Sequence, residues 1–195
     1  AGRVHSCGLA AEGSLWCWGN NDSGQLGVVG GDVTTPQRIG EAMDWQMVAC
    51  DEDSSCALKS DGRVYCWGRL PGNVTVATPN LMDATAVWQN LSVGSVVEEV
   101  SGAAWVHVCG ARADGRGQCL GDNPSGELGN GTFSSVLGAP VSVLAPPAEW
   151  RQFSAGGAFT CGIDSVGEVW CFGGDVHGER GDGEQWMPRP VVEHF

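Results

Sequence analysis

The sequence has little positive charge. Ten lysine and arginine residues stand against 23 aspartate and glutamate residues, so the formal net charge is −13. Such a chain repels phosphate backbones and anionic membrane surfaces, and we therefore expect no nucleic-acid partner and no attachment to an anionic membrane. The acidic residues are dispersed along the chain, and we interpret them as a solvated surface rather than as a recognition patch.

The sequence also lacks long apolar segments and helical periodicity. It contains no run of about 18 apolar residues, so we expect no direct membrane insertion. Glycine is abundant instead, with 31 residues, and nine tryptophans and nine cysteines supply material for packing and cross-linking. This composition favours short strands joined by tight turns over a helical protein.

Familiar catalytic motifs are absent as well. The sequence contains no nucleophile elbow, phosphate-binding loop, dinucleotide fingerprint or zinc-protease motif. His5 and His107 each precede a cysteine by two residues at the same repeat position, and we interpret them as framework residues. The acidic run 51–53 lacks the ligand spacing of a calcium loop, and we interpret it as a solvated turn. We therefore expect no enzymatic activity, no metal ligands and no cofactor.

The most informative feature of the sequence is a fourfold repeat. The segment HSCGLAAEGSLWCWG recurs about every 50 residues, as SSCALKSDGRVYCWG, HVCGARADGRGQCLG and FTCGIDSVGEVWCFG. Eight of the nine cysteines therefore form four pairs of identical spacing. The pairs are Cys7/Cys17, Cys56/Cys66, Cys109/Cys119 and Cys161/Cys171.

Each copy of the repeat predicts a β-hairpin. A glycine follows the midpoint of every cysteine pair, as in a three-residue hairpin loop whose last residue is left-handed. In that register Leu9 pairs with Leu15, and Cys7 faces Cys17 in a non-hydrogen-bonded pair whose Cα atoms approach to about 4.5 Å. The register predicts a disulfide across each hairpin. Structural zinc sites use closer cysteine spacing, which argues against metal ligation.

Further strands complete each repeat. A glycine-rich turn follows the hairpin at 20–27 and 122–129, is degenerate at 175–181, and is replaced at 69–76 by RLPGNVTV. A proline-led strand follows at 36–39, 79–82, 140–143 and 190–192, and a fourth strand is expected at 45–50, 96–101 and 150–155. Four short strands per period predict all-β, β-propeller-like blades in one domain, with repeats at 1–44, 45–95, 96–148 and 149–195. A solenoid of hairpins is the alternative.

The text H-x-C-x-L…D-G-x-V-x-x-W-G-x-N…G-Q-L-G…P resembles the repeat of the regulator of chromosome condensation family, a seven-bladed propeller. The match covers essentially the whole chain and is best at 5–27 and 54–68. The added cysteine pairs resemble the extracellular branch of that family, as in the ectodomains of crinkly-type plant receptor kinases. The resemblance implies a protein-binding or structural assembly module.

Two other functions stay open at this point. One is a propeller enzyme or lectin with a site at the mouth of the ring. The other is a guanine-nucleotide exchange factor like the nuclear founder of the family. The paired cysteines argue against an exchange factor, because they imply an oxidising compartment, and we expect the chain in the extracellular space or the secretory lumen.

Two kinds of side chain remain to be placed. Cys50 is left without a partner, and we interpret it as a half-buried free thiol, the alternative being a bond to a segment or chain beyond this sequence. N-glycosylation sequons begin at four asparagines, of which Asn73 and Asn130 lie in predicted turns. The four are Asn21, Asn73, Asn90 and Asn130.

The strand that precedes each later hairpin is missing before the first one, so it occurs three times for four hairpins. We therefore expect an incomplete arc of a larger ring. An open arc exposes blade faces and strand edges that a soluble protein normally covers. We expect further blades of the same assembly, or a protein partner, to cover Trp16 and Trp18 at one end or the blade of Trp170 and Phe172 at the other.

Overall fold

The computed structural model describes residues 1–84, 87–97, 104–144, 149–179 and 186–192. Within these ranges the chain forms fifteen β-strands in four antiparallel sheets and no helix. The all-β prediction is therefore confirmed. We call the four sheets blades 1 to 4 in chain order.

Blade 1 has three strands, and each of the other blades has four. Blade 1 contains β1 (His5–Leu9), β2 (Leu15–Gly19) and β3 (Val33–Arg38). Blade 2 contains β4 (Trp45–Asp51), β5 (Ser54–Lys59), β6 (Val64–Leu70) and β7 (Val74–Asp83). Blade 3 contains β8 (Ser92–Val97), β9 (Ala104–Ala111), β10 (Gly117–Gly121) and β11 (Val136–Ser142). Blade 4 contains β12 (Trp150–Ala155), β13 (Phe159–Asp164), β14 (Val169–Gly174) and β15 (Trp186–Val192).

The hairpins have the register that the repeat predicts. In blade 1, Cys7 lies opposite Cys17 and Leu9 opposite Leu15. The Gly13 amide donates to the Ala10 carbonyl at 2.9 Å, which closes the three-residue loop. Gly13 has a φ of 87°, a conformation that a residue with a Cβ adopts only with strain. The other three hairpins carry glycine at the same position.

Four disulfides join the strands of the hairpins, and they are the pairs that the spacing predicts. They are Cys7–Cys17, Cys56–Cys66, Cys109–Cys119 and Cys161–Cys171. The Cα atoms of each pair lie 4.1 or 4.2 Å apart, the close approach expected of a non-hydrogen-bonded pair. Each staple therefore stabilises its own blade and joins no two blades.

The prolines of the outer strands do not start those strands, contrary to our expectation. Pro36 is the fourth residue of β3, and the next residue, Gln37, pairs with Cys17. Between Gln37 and Val33 the register shifts, because Val33 pairs with Gly19. The same shift recurs in the outer strands of the other blades. Proline fits this irregular edge because it has no amide hydrogen to donate to a neighbouring strand, and the irregular register there does not require one.

The first strand of blade 3 also lies elsewhere than predicted. We expected a strand at 96–101, but β8 spans Ser92–Val97, and residues 98–101 lie outside the described residues. Val97 pairs with Ala104, whereas Asp51 of blade 2 pairs with Ser54. The connection is therefore longer in blade 3, and counting back from the hairpin at a fixed distance misplaces the strand. The expected boundary between residues 95 and 96 falls inside β8.

The blades stack face to face in chain order and form an open arrangement. Successive side chains of a strand point to opposite faces, so each inner blade contributes to two cores. In β6, Trp67 and Tyr65 pack toward blade 1, whereas Cys66 and Val64 pack toward blade 3. An inner blade has no core of its own, because the apolar side chains on both of its faces pack against the neighbouring blades. We therefore expect that such a blade does not fold alone.

The glycine-rich turns bring neighbouring blades into close contact. In blade 3, Leu128 is fully buried and Gly129 has a φ of 59°. A Cβ on Gly129 would lie 2.8 Å from the Phe172 ring of blade 4. Glycine is required here both for its backbone conformation and for the space it leaves.

We expect Gly129→Ala to lower the free energy of unfolding by about 2 kcal/mol or more, because alanine strains the left-handed backbone and overpacks the joint. Urea denaturation measures the change. Gly138→Ala is the matched control, since Gly138 lies on an exposed strand and a Cβ there meets no atom within 4 Å. We expect the control to change stability by less than about 0.5 kcal/mol. Equal effects of the two substitutions would contradict this account of the turn.

Candidate functional site

The turn after the first hairpin is organised by one asparagine. The Asn21 side chain accepts a hydrogen bond from the Leu26 amide at 3.0 Å and donates to the carbonyls of Val28 and Gly30 at 3.0 and 2.9 Å. Asn21 is buried. Its three bonds hold the turn in a shape that directs the Gln25 carbonyl toward blade 2.

That carbonyl is the centre of the joint between blades 1 and 2. The Gln25 oxygen accepts the Ser55 hydroxyl at 2.8 Å and the Trp67 indole N–H at 2.9 Å. The Ser55 oxygen also lies 2.8 Å from Nε2 of His5 on blade 1. A buried carbonyl with two donors, and a hydroxyl that bridges two blades, satisfy polar groups that would otherwise destabilise the core.

The joint between blades 3 and 4 repeats this arrangement. The Glu127 carbonyl accepts the Thr160 hydroxyl at 3.0 Å, and Nε2 of His107 lies 2.9 Å from the same hydroxyl. Asn123 organises the turn as Asn21 does, with its oxygen 2.9 Å from the Leu128 amide. His5 and His107 therefore have the framework role that we expected.

The joint between blades 2 and 3 is apolar. Val93 and Val108 stand where the other joints have polar or small residues, and they pack with Leu70 of blade 2 and Leu120 of blade 3. Polar contacts at the edges supplement them: the Gly72 amide donates to Asp122, 3.2 Å from each carboxylate oxygen, and the Ser95 amide and hydroxyl donate to Asp51. The replacement of the repeat turn by RLPGNVTV thus accompanies a different way of joining two blades.

Burial shifts the titration of the polar joints. It lowers the pKa of His5 and of His107 to about 4 and raises the pKa of Glu127 to about 7. In each case the main cause is the loss of water around the charged form. The equivalent of Glu127 in the first joint is Gln25, which carries no charge. The joints are therefore most stable when the side chains of His5, His107 and Glu127 are neutral.

The acidic run 51–53 contributes to contacts between strands and blades. Asp51 accepts hydrogen bonds from the amide and hydroxyl of Ser95 on blade 3. Glu52 lies 2.9 Å from Arg3 at the edge of blade 1, and Asp53 lies 3.4 Å from Arg69 of its own blade. These acids are engaged with neighbours rather than simply solvated.

An apolar cleft of about 300 Å³ lies at the outer strands of blades 2 and 3. Its rim includes three large apolar side chains exposed to solvent by 54, 39 and 60% of their surface, namely Val74, Leu81 and Leu137. Its floor includes Leu70 and Val76. We call this feature the outer cleft. Contiguous exposed apolar residues of this kind mark surfaces for ligands or protein partners.

The two ends of the stack present different faces. Trp16 and Trp18 of blade 1 are half-buried, whereas Phe172 of blade 4 is fully buried against blade 3. The Phe172 side of blade 4 is therefore not the open one. The aromatic residues of the hairpin point back toward the preceding blade, as Trp67 does. The opposite face of blade 4 carries Ile163, which is 41% exposed.

The sequons fall into two groups. Asn73 is exposed and Asn130 is partly exposed, both in turns. Asn21 is 5% exposed, and Nδ2 of Asn90 donates to the Arg151 carbonyl at 2.6 Å. The side chains of Asn21 and Asn90 thus have structural roles that a glycan on Nδ2 would remove. The role of Asn90 has no local sequence signal, because the Arg151 carbonyl lies 61 residues away along the chain.

Two family models match the chain, both described as the Regulator of chromosome condensation (RCC1) repeat, over residues 12–58 and 48–69. A curated relative, the Protein RCC2 homolog of Xenopus laevis, is 22% identical over 185 residues, which are 91% of this chain and 25% of the relative. The chain thus spans about a quarter of the length of this relative. In the described residues no helix is long and apolar enough to span a membrane.

Two solved structures show the same fold. Human WBSCR16 superposes with a TM-score of 0.82 at 19% identity, and the match covers all of this chain and 52% of that protein. Prp20p of Saccharomyces cerevisiae superposes with a TM-score of 0.55 at 18% identity, over all of this chain and 64% of that protein. The blades described above are therefore arranged as in part of a larger propeller.

We expect Glu127→Gln to stabilise the protein at neutral and higher pH. The pKa of Glu127 is raised in the folded state, so its contribution to stability is full below the ordinary pKa near 4.5 and is lost as pH rises to about 7. Glutamine has no such loss. The difference in free energy of unfolding between the variant and the wild type should therefore grow across this pH range to on the order of 2–3 kcal/mol. Urea unfolding at pH 5 and pH 8 measures it.

His5 and His107 change the stability with pH in the opposite sense. Because the wild type and Glu127→Gln both contain these histidines, their effect cancels when the two proteins are compared. Their lowered pKa values mean that stability is lost as pH falls from about 6.5 to about 4. Glu168→Gln is the control, because Glu168 is exposed, and we expect its stability to follow the wild type at both pH values. A pH-independent gap for Glu127→Gln would refute the account of the joint.

We expect the folded protein from a eukaryotic secretory host to carry glycans at Asn73 and Asn130 and none at Asn21. A glycan on Nδ2 of Asn21 would displace the bonds to Val28 and Gly30 that shape the first turn, so modified chains should not reach the folded fraction. Enzymatic deglycosylation in heavy-oxygen water followed by peptide mass spectrometry reports occupancy. Substantial occupancy at Asn21 in monomeric, folded protein would contradict the structure of this turn.

Proposed function

Because this chain is built from repeats of the regulator of chromosome condensation family, we propose that it is a protein-binding module. In this proposal, disulfide-stapled blades form a rigid support that presents surface residues to a protein partner or to further blades of an assembly. The partner is not a nucleic acid, because the net charge of −13 opposes a phosphate backbone.

The observation that carries the proposal is the outer cleft. Val74, Leu81 and Leu137 expose large apolar side chains next to one another on two rigid blades. Exposed apolar residues that stand alone are common, whereas a cluster in a concave surface is typical of a binding site. The cleft is shallow and lined mainly by aliphatic groups, which suits an apolar side chain of a protein partner better than a charged small molecule.

The likeness to Prp20p supports protein binding by this fold, since that protein has described binding properties toward Gsp1p and histones. The partner of the present chain is a separate matter, because surface residues, and not the fold, decide recognition. The four disulfides support a location in the extracellular space or the secretory lumen, where such bonds persist. They disfavour the alternative of a nuclear type of exchange factor.

We also propose that the chain is not an enzyme or a lectin. Catalysis by histidine needs an imidazole that reaches a substrate. His5 and His107 are 4% and 1% exposed, and each bonds to a hydroxyl of the neighbouring blade. Their neutral state at ordinary pH fits a role in packing.

We expect the double substitution Leu81→Asp and Leu137→Asp to lower partner binding by on the order of tenfold or more, because it places charge in an apolar contact. The measurement is cross-linking and affinity capture from the extracellular fluid of the source, with quantitative mass spectrometry. Val29→Asp is the control, since Val29 is 86% exposed on a turn of blade 1 and does not line the cleft.

All three proteins should have the same circular dichroism spectrum and the same unfolding midpoint within error. Proteins that are captured by the wild type and the control, and lost with the double variant, support binding through the outer cleft. Capture of one set of proteins by all three would show that the cleft is not the binding surface.

A further inference from the structure

The Cys50 thiol of blade 2 faces the disulfide of blade 1. Cys50 is free and lies on β4, opposite Ser55. Its Sγ lies within 4.8 Å of the Cys7 Sγ and of a ring nitrogen of His5. The Ser55 hydroxyl lies beside both sulfurs, 3.8 Å from Cys50 and 3.9 Å from Cys7. Cys7 itself is bonded to Cys17.

The hydrogen-bond network assigns the protons of this group. Ser55 has one hydrogen, which it donates to the Gln25 carbonyl at 2.8 Å. Nε2 of His5, 2.8 Å from the Ser55 oxygen, is therefore the donor in that contact. A thiol, a sulfur of the disulfide and a ring nitrogen of His5 thus lie within 4.8 Å of one another.

We propose that the Cys50 thiol exchanges with the Cys7–Cys17 disulfide. The Cys50 thiolate attacks Sγ of Cys7, and the bond between Cys7 and Cys17 breaks as the bond between Cys7 and Cys50 forms. The electron pair of the broken bond remains on the Cys17 sulfur, which takes up a proton equivalent to the one that Cys50 released. One disulfide and one thiol are present before and after, so the step requires no oxidant or reductant.

The exchange changes what the disulfide holds together. In the initial state the bond staples β1 to β2 within blade 1. After exchange it joins β1 of blade 1 to β4 of blade 2. Blade 1 is the blade with three strands, and apart from the connecting chain at 39–44 its attachment to blade 2 is noncovalent. The exchange would therefore convert a local staple into a covalent lock between blades.

The other joints show that Cys50 is an addition to a common arrangement. The joint between blades 3 and 4 also has a histidine, a hydroxyl and a disulfide, namely His107, Thr160 and Cys109–Cys119. At the position of Cys50 that joint has Ala155, which pairs with Thr160 as Cys50 pairs with Ser55. Val93 occupies the position in the remaining joint. The chain thus contains a control of its own, a similar joint without the attacking thiol.

The test is disulfide mapping of the folded protein. Burial raises the pKa of the Cys50 thiol, so the protein is held without denaturant at about pH 10, where a larger share of the thiol is ionised. It is then quenched with acid and alkylated. Cleavage after acidic residues separates Cys7 from Cys17 at Glu12, and separates Cys50 from Cys56 at 51–53. We expect a peptide linking Cys7 to Cys50 and an alkylated Cys17 to appear in equal amounts, with a matching loss of the Cys7–Cys17 link.

Two variants define the outcome. Cys50→Ala should retain the Cys7–Cys17 link and show no alkylated cysteine. Cys50→Ala combined with Ala155→Cys should keep that link and instead release Cys119, because the new thiol lies beside Cys109. Retention of the Cys7–Cys17 link in the wild type, with alkylation at Cys50 alone, would overturn the proposal. Links scattered among all four repeats would also overturn it, because they would show exchange in unfolded chains.

Cys17→Ala provides a separate measurement that does not depend on the rate of exchange. It leaves Cys7 and Cys50 as the two free thiols, and oxidised glutathione should join them in the folded protein. Mixed disulfides with glutathione at both positions, and no link between them, would show that the two sulfurs cannot reach bonding distance.

Discussion

The structure depends on the contact between a turn carbonyl of one blade and a hydroxyl of the next. A blade of three or four short strands has two apolar faces, so it needs neighbours on both sides. Apolar packing alone would leave the backbone of the connecting turn buried without partners. The carbonyls of Gln25 and Glu127 resolve this conflict, since each accepts the hydroxyl of Ser55 or Thr160 within the apolar contact. The turn can then approach closely enough for a glycine to touch an aromatic ring.

Local features of the fold could be predicted from the sequence because their determinants lie within a few residues of one another. The Cys7–Cys17 spacing and Gly13 define a hairpin register by themselves. The position of β8 could not be predicted in this way, since it depends on the length of a connection that the repeat does not conserve. The orientation of Phe172 depends on which neighbour covers each face, and that is a property of the stack.

In the candidate site, too, local features could be predicted from the sequence and contacts between blades could not. The sequence showed His5 and His107 at one repeat position, which indicated a framework role, but their hydroxyl partners lie 50 and 53 residues away. The outer cleft combines side chains of β7 and β11 from different blades. Leu81 and Leu137 give no signal in the sequence, because isolated apolar residues are common on protein surfaces. Only the arrangement of the blades shows that they are neighbours.

The departures from the repeat coincide with the features that could carry function. The second repeat lacks the glycine-rich turn, and its replacement supplies Leu70, Pro71 and Val74 to the outer cleft. A turn of the usual kind would present a carbonyl to the next blade at that point instead. Cys50 likewise replaces the alanine that the fourth blade has at this position, and it brings a thiol to a disulfide. The turn carbonyl, the hydroxyl and the histidine recur in two of the three joints, where they hold neighbouring blades together. Leu70, Pro71, Val74 and Cys50 lie where the second repeat departs from this pattern. The first three contribute to the outer cleft, and Cys50 places a thiol beside the disulfide of blade 1.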